Sequence, residues 1–277
     1  MKTLLISHFW NEEYLLPHWI QHHKGMFDHV VMIDYASTDR SVEIIKTLAP
    51  EWEIRPSRNQ FFDAPLVDQE VMDIELEFDG YWKLALNTTE FLLVEGLDLH
   101  AKLLSFEERF PGEQAYCCKG VRMIDRVEDM EIPADNSIPL LLQRHWGFFE
   151  SEDYGRCSRC RTMHIHRCGH YTIGRHYTLA FGVRMVPDEM YCVWFGWSPY
   201  VNVRQRKMAV QQRIPAHHFQ MGWGVEHNMH SVAELDGYFH HWNRHSYDLY
   251  SNECFLRTVE SCRGKYPDPY LPNGFGK

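Results

Sequence analysis

The chain is expected to form an α/β domain with a mostly parallel sheet flanked by helices, followed by an irregular α+β second half. Three observations predict it. Short apolar runs of strand length alternate with helix-period segments through the first hundred residues, the mark of strand–helix–strand units. Polar residues gather where each run ends, as Asn11, Glu12, Asp34 and Asn87 do; in open sheets of this kind ligands bind beyond the carboxyl ends of the strands. From residue 140 to 200 that alternation gives way to an aromatic, histidine-rich stretch with no clear period.

The elements follow in order. Thr3 to Phe9 is too short for an independent helix and reads as a strand. Pro17 suits a first helical turn, where its missing N–H costs nothing, and Gly25 suits the stop. Val30 to Ile33 is a second strand, closed by Asp34 and the Ser37-Thr38-Asp39 turn; such a unit joins parallel strands by a right-handed crossover. Val42, Ile45 and Leu48 mark a helix ended by Pro50, and Trp52 to Ile54 a third strand. Glu70 to Leu76 reads as helical, Trp82 to Leu86 as a strand, Leu97 to Phe110 as a helix and Ala115 to Ile124 as a strand. An acidic loop is expected over 128–139, then short strands and long loops to Tyr200. Ser231-Val232-Ala233-Glu234 is a capping box before the stripe Leu235, Tyr238, Phe239, Trp242. The tail from Tyr266 reads as coil on the surface.

The 277 residues suffice for one large core, so 1–110 and 111–277 are expected to be two halves of one domain. A net charge of -10 argues against a nucleic-acid binder that neutralises phosphates, though not against a local anion pocket. No apolar run approaches the ~20 residues that span a bilayer, and the N-terminal run lacks the length and cleavage site of a secretory signal. A cytoplasmic protein without a transmembrane segment, its eight cysteines reduced, is therefore expected.

Asn-Glu-Glu at 11–13, Leu-Pro-His-Trp-Ile at 16–20, His22-His23, Gly25, the strand ending in Asp34 and Ser37-Thr38-Asp39 follow one another in a fixed order. With that order the first ninety-odd residues resemble the family 2-like glycosyltransferases of the GT-A fold. The likeness continues weakly through Gly174-Arg175-His176 and His217-His218-Phe219. It implies a transferase that moves a sugar from a nucleotide-diphosphate donor to a glycan or other hydroxyl acceptor, with inversion. Ser7, Asn11, Glu12 and Asp34 would then line the nucleotide pocket, and Asp39 would cap the next helix. Asp34 reads equally well as a turn-former.

In the family the fourth strand ends in an Asp-any-Asp-Glu-Phe motif whose carboxylates hold a divalent metal. Here the Glu90-Phe91 pair remains, but Asn87 and Thr89 stand where the aspartates would be. Neither supplies the negative charge a hard cation needs. Three outcomes stay open: the diphosphate is held without Mn²⁺ or Mg²⁺ by cations drawn from Arg175, His176, Arg204, Arg206 and Lys207; a metal is held weakly by Glu90 and His176; or catalysis is lost and only binding remains. The catalytic candidates are Glu90, His176, Asp188 and Glu189, the last two by chemistry alone, and His218 would sit in a closing loop near the leaving group. A separate zinc candidate is Cys157, Cys160, His164 and Cys168; the competing reading puts His164, His166, Cys168 and His170 on one face of a strand. A zinc-dependent hydrolase built on that cluster is disfavoured by the absence of a His-Glu-x-x-His helix.

Overall fold

A computed structural model describes residues 1–150, 160–224 and 231–271. In chain order its elements are β1 (Lys2–Phe9), α1 (Leu16–His23), β2 (His29–Asp34), α2 (Ser41–Leu48), β3 (Glu53–Pro56), α3 (Ala64–Glu77), β4 (Tyr81–Asn87), β5 (Glu90–Val94), α4 (Leu99–Arg109) and β6 (Ala115–Ile124). There follow α5 (Leu140–Gln143), β7 (Trp146–Phe149), β8 (Arg161–His164), β9 (Arg184–Met185), β10 (Met190–Trp197), α6 (Tyr200–Val210), α7 (Ala216–Met221), α8 (Val232–Asn243), β11 (Tyr247–Asp248) and α9 (Glu253–Cys262).

The described strands form one sheet, ordered β11-β7-β6-β8-β4-β1-β2-β3, with β10 pairing β5 and β6 and β9 pairing β6. The run β4-β1-β2-β3 is parallel throughout, as crossover helices require. Antiparallel pairing enters with the second half, where β8 lies between β4 and β6. The boundary at residue 110 thus falls between α4 and a strand of the same sheet.

Side-chain alternation assigns the two faces. Leu5, Val30 and Met32 join α1 and α2 residues such as Trp19, Ile20, Ile44 and Ile45 in one cluster. Leu4, Ile6, Val31 and Ile33 join Val67, Val71 and Ile74 of α3 in the other. With both faces covered, β1 and β2 read as continuous apolar runs rather than alternating ones. Each fully buried Leu or Ile contributes about 1.5–3 kcal/mol.

Two expectations change and a third is sharpened. Helix α3 starts at Ala64, six residues before the expected Glu70, because Asp63-Ala64-Pro65 puts a proline in its first turn. The stretch 140–200 contains, besides short strands, the eight-residue β10, whose residues are all buried; a strand covered on both faces shows no period to read. The tail is coil, as expected, with 267–269 exposed, but it is pinned at both ends of the described stretch: Tyr270 and Leu271 are buried, and the Tyr266 hydroxyl lies 2.9 Å from His22 Nδ1. The capping box forms as expected in its first half, Ser231 Oγ accepting from Glu234 N at 3.2 Å.

Candidate functional site

A cavity of about 500 Å³ opens at the carboxyl ends of β1 and β4. Its floor is His8 and Phe9 of β1 and Asn87, Thr88 and Thr89 after β4. One wall is a single face of α6: Val203, Arg206, Lys207 and Val210 all line it, at the i, i+3, i+4, i+7 spacing that stacks residues on one side of a helix. Helix α3 contributes Val67 and Asp68, the loop after β8 contributes Gly174, Arg175 and His176, and the segment after α7 contributes Trp223.

The charge is predominantly cationic. Arg161, Arg175, Arg206 and Lys207 face Glu12 and Asp68 across the lining. Arg175 is central. Its Nη1 donates to Asp68 Oδ1 at 2.6 Å, and its Nη2 donates to Asn87 Oδ1 at 2.8 Å and approaches His8 Nδ1 at 3.4 Å. Arg161 is fully buried and forked onto Glu90 at 2.6 and 2.8 Å. Its remaining Nη1 donates to Gly174 O and to His176 Nδ1. On the far wall Arg206 donates to Glu12 Oε1, and the Thr88 hydroxyl acts on the same buried carboxylate.

These surroundings shift protonation in opposite senses. Burial, and then the Arg175 charge, hold the His8 imidazole well below its usual range, so it is neutral near pH 7. Burial raises the Glu12 carboxyl against the lowering effect of Arg206. Asp68 is likewise raised by burial, opposed by Arg175. Burial lowers His218 despite the nearby Asp63 carboxylate.

Of the residues singled out above, Glu12, Asn87, Thr89, Arg175, His176, Arg206, Lys207 and His218 line this cavity. Ser7, Asn11, Asp34 and Glu90 do not. Ser7 is buried on the α1–α2 face with Leu5, two residues inside the end of β1; Phe9, on the same face but at the strand end, reaches the cavity, as His8 does from the other face. Asp34 also ends on the α1–α2 side, and its Oδ1 accepts from Ser37 N at 2.9 Å, the turn-forming alternative. Asn11 ties β1 to the next loop, its Oδ1 accepting from Thr38 N at 2.8 Å. Asp39 Oδ1 accepts from Ser41 N at the start of α2.

Asp188 and Glu189 lie outside the lining too. Asp188 pairs with Lys119 at 3.3 Å, and Glu189 pairs with Arg109 at 2.6 Å and Lys102 at 3.5 Å. Arg204 sits off the cavity face of α6, paired with Glu131 at 2.9 Å.

The end of β4 does not fit a divalent ion. Asn87 and Thr89 carry no charge, a guanidinium occupies the Asn87 oxygen, and both Glu90 oxygens are engaged by Arg161 and by Asn87 N. His176 gives its Nδ1 to Arg161 rather than to a ligand set with Glu90.

The zinc candidate fares no better where it can be seen. Cys157 lies outside the described residues. Cys160 packs beside Cys117, His164 is held by Tyr171 at 2.9 Å and Glu75 at 3.3 Å, and Cys160, His164 and Cys168 form no group of converging ligand atoms among the described residues. Strand β8 ends at His164, so His164 to His170 share no strand face.

Sequence reasoning missed His8, Asp68 and Arg161. Asp68 had a signal, the Ala64, Val67, Asp68 spacing of one helix face. Arg161 had none, since its role comes from pairing with Glu90, seventy-one positions away.

No protein-family model and no curated protein matches the chain. Solved structures of glycosyltransferases resemble it. Residues 1–349 of S. aureus TarS align at 10% identity and a TM-score of 0.38, over 77% of this chain and 65% of that one, so the chain spans less than two thirds of that protein's solved length. The Pyrobaculum calidifontis mannosyltransferase PcManGT, solved with GDP-Man and Mn²⁺, aligns at 13% identity and 0.44, over 94% and 73%. Glucosyl-3-phosphoglycerate synthase from Mycobacterium tuberculosis aligns at 14% and 0.29, over 44% of each chain. All three scores lie below 0.5. No helix among the described residues is long and apolar enough to cross a membrane.

Proposed function

We propose that the chain is a GT-A-type glycosyltransferase that moves a sugar from a nucleotide-diphosphate donor to a hydroxyl acceptor, with the leaving diphosphate stabilised by protein cations in place of a divalent ion at β4. The observation that carries this reading is the Arg175 guanidinium, 2.8 Å from Asn87 Oδ1, at the strand end where the family's metal acids would stand. A guanidinium fork matches phosphate oxygens and keeps its charge at any working pH. Preorganised cations in a water-poor cavity stabilise charge that develops on a leaving group, and Arg206 and Lys207 add theirs from α6. The volume of about 500 Å³ suits a ligand of sugar-nucleotide size.

The acceptor hydroxyl must lose a proton, and Glu12 has the better claim among the lining carboxylates. Asp68 has both oxygens engaged, by Arg175 and Gly174 N. Glu12 is tied to the protein through Oε1 and Arg206, with only the Thr88 hydroxyl as a further side-chain partner among the described residues, and burial raises its pKa, which favours proton uptake. Trp10, Phe62, Trp194 and Trp223 supply apolar walls for a base or sugar ring.

The test is a panel of nucleoside-diphosphate sugars in thermal shift and turnover assays, with Mn²⁺ and with chelator. At least one donor is expected to raise the melting temperature by mass action, and to do so equally in chelator. Lys207→Met keeps the packed stem and removes the charge; donor affinity should fall about tenfold or more, since hydrogen bonds to charged groups contribute about 1.5–3 kcal/mol. No shift from any donor would refute the transferase reading, and a shift abolished by chelator would refute the metal-free version. Binding without turnover would favour a catalytically inactive binding module, the reading that the missing aspartates at 87 and 89 also support.

A further inference from the structure

At the rim of the cavity three side chains converge that the reading above does not use as a set. Asp63, His217 and His218 each offer one ligand atom, all within 4.8 Å of one another. Asp63 Oδ2 lies 3.2 Å from His217 Nε2, and Asp63 Oδ1 lies 3.9 Å from His218 Nε2. We propose that Asp63, His217 and His218 form a binding site for one divalent transition ion of the zinc class, distinct from the strand end at Asn87.

The chemistry selects the ion. Two imidazoles and one carboxylate suit Zn²⁺ and its neighbours rather than Mg²⁺ or Ca²⁺, which prefer oxygen. Two ligands at about 2.1 Å from one ion stand at most about 4.2 Å apart; Asp63 meets that limit with each histidine through a different oxygen, as a bidentate carboxylate would, and the other separations, all within 4.8 Å, need a shift of under about 1 Å.

Asp63 supplies a second reason. It occupies the N-cap position of α3, where an aspartate normally accepts from a first-turn N–H, yet its side chain makes no such bond. The carboxylate turns to the two histidines instead. His218 Nε2 accepts from Ala64 N at 3.2 Å, which leaves the lone pair of the neutral ring on the nitrogen that faces Asp63. Metal binding would exchange that bond for a coordinate one.

The two segments are held in register without the ion. Phe62 N donates to Arg213 O at 2.8 Å, and Arg213 Nη1 donates to Gln60 O at 2.9 Å. The site is therefore assembled before an ion arrives, which lowers the ordering cost of binding. Its structural consequence is local. Trp223 packs against the His218 ring at 5.3 Å and the His217 ring at 6.3 Å, and its N donates to His218 O. An ion bridging α7 to the start of α3 pins the segment that carries this cavity-lining tryptophan.

The site stands on its own geometry, so its test uses no sugar nucleotide. Chelator-stripped full-length protein is titrated with Zn²⁺ by equilibrium dialysis and with Co²⁺ by visible absorption. One ion per chain is expected, with Co²⁺ bands of nitrogen and oxygen ligation and no thiolate charge-transfer absorption. His217→Ala removes a half-exposed side chain, and Asp63→Asn keeps its shape. Each should weaken binding about tenfold or more, the scale already lost on disturbing mere outer-shell partners. Circular dichroism checks that both variants fold, and Zn²⁺ should raise the melting temperature of the wild type but not of His217→Ala. The proposal is overturned if the wild type binds no ion, if both variants bind as it does, or if thiolate absorption shows cysteine ligation.

Discussion

Replacing His22 with glutamine should flatten the protein's acid sensitivity. His22 is fully buried in α1, with Nε2 at 2.7 Å from Leu92 O and Nδ1 at 2.9 Å from the Tyr266 hydroxyl. Burial lowers its pKa to about 4, against 6.5 for a free imidazole, outweighing the opposing bond to Leu92. A depressed folded-state pKa means that the unfolded chain binds the proton first. The stability His22 contributes is therefore complete above pH 6.5 and is lost as pH falls through about 4. The 2.5-unit difference at 1.36 kcal/mol per unit amounts to about 3 kcal/mol, a sizeable part of the ~5–15 kcal/mol of a typical domain. His18, also lowered to about 4, acts in the same sense, while the raised carboxyls of Glu12, Asp68 and Asp125 act in the opposite one. All of these groups remain in the variant, so their contributions cancel; only His23, whose ring lies 4.8 Å from His22 and whose pKa is lowered by burial and then by the His22 charge, changes with it. Urea unfolding followed by circular dichroism from pH 7.5 to 4 is the assay. At pH 7.5 His22→Gln should be less stable by about 1–3 kcal/mol, from imperfectly replaced buried hydrogen bonds. Towards pH 4 the difference should shift by about 3 kcal/mol in favour of the variant, so that the gap vanishes or reverses. Parallel stability curves across that range would refute the reasoning.

Two further outcomes test the frame around the cavity. Glu90→Gln leaves the Arg161 guanidinium, 1% exposed, without its counter-charge; loss of about 3–5 kcal/mol is expected, read as a lower urea midpoint, with weakened donor binding because Arg161 also holds Gly174 and His176. Ser231→Ala deletes the bond to Glu234 N that opens α8 and should cost about 1 kcal/mol, seen as a small drop in melting temperature with donor affinity unchanged.

The parallel half of the fold was legible because its signals are local. Pro17 opening α1, Gly25 closing it at φ +82, and the apolar runs of β1, β2 and β4 each announce themselves within a few residues. Strand β10 was not legible: it is wedged between β5 and β6, all eight residues buried, and carries no alternation. At the site, Asn87 and Thr89 were singled out through the resemblance, and Arg206 and Lys207 only as available cations, together with Arg204, which does not line the cavity. Ser7 and Asp34 were placed in the pocket by the resemblance; Ser7 is buried two residues inside the end of β1, and the Asp34 carboxylate is engaged in its own turn.

By itself, then, the sequence determined where the parallel strands end, that polar residues cluster at those ends, and that the residues at 87 and 89 are uncharged. Those facts depend on spacing of a few residues, which the chain's own periodicity records. Which cation stands at Asn87 was decided only in three dimensions. Arg175 reaches it across eighty-eight positions, and Arg161 reaches Glu90 across seventy-one. Pairings of that range carry no local pattern; they follow from how α3, α6 and the loop after β8 pack against the sheet.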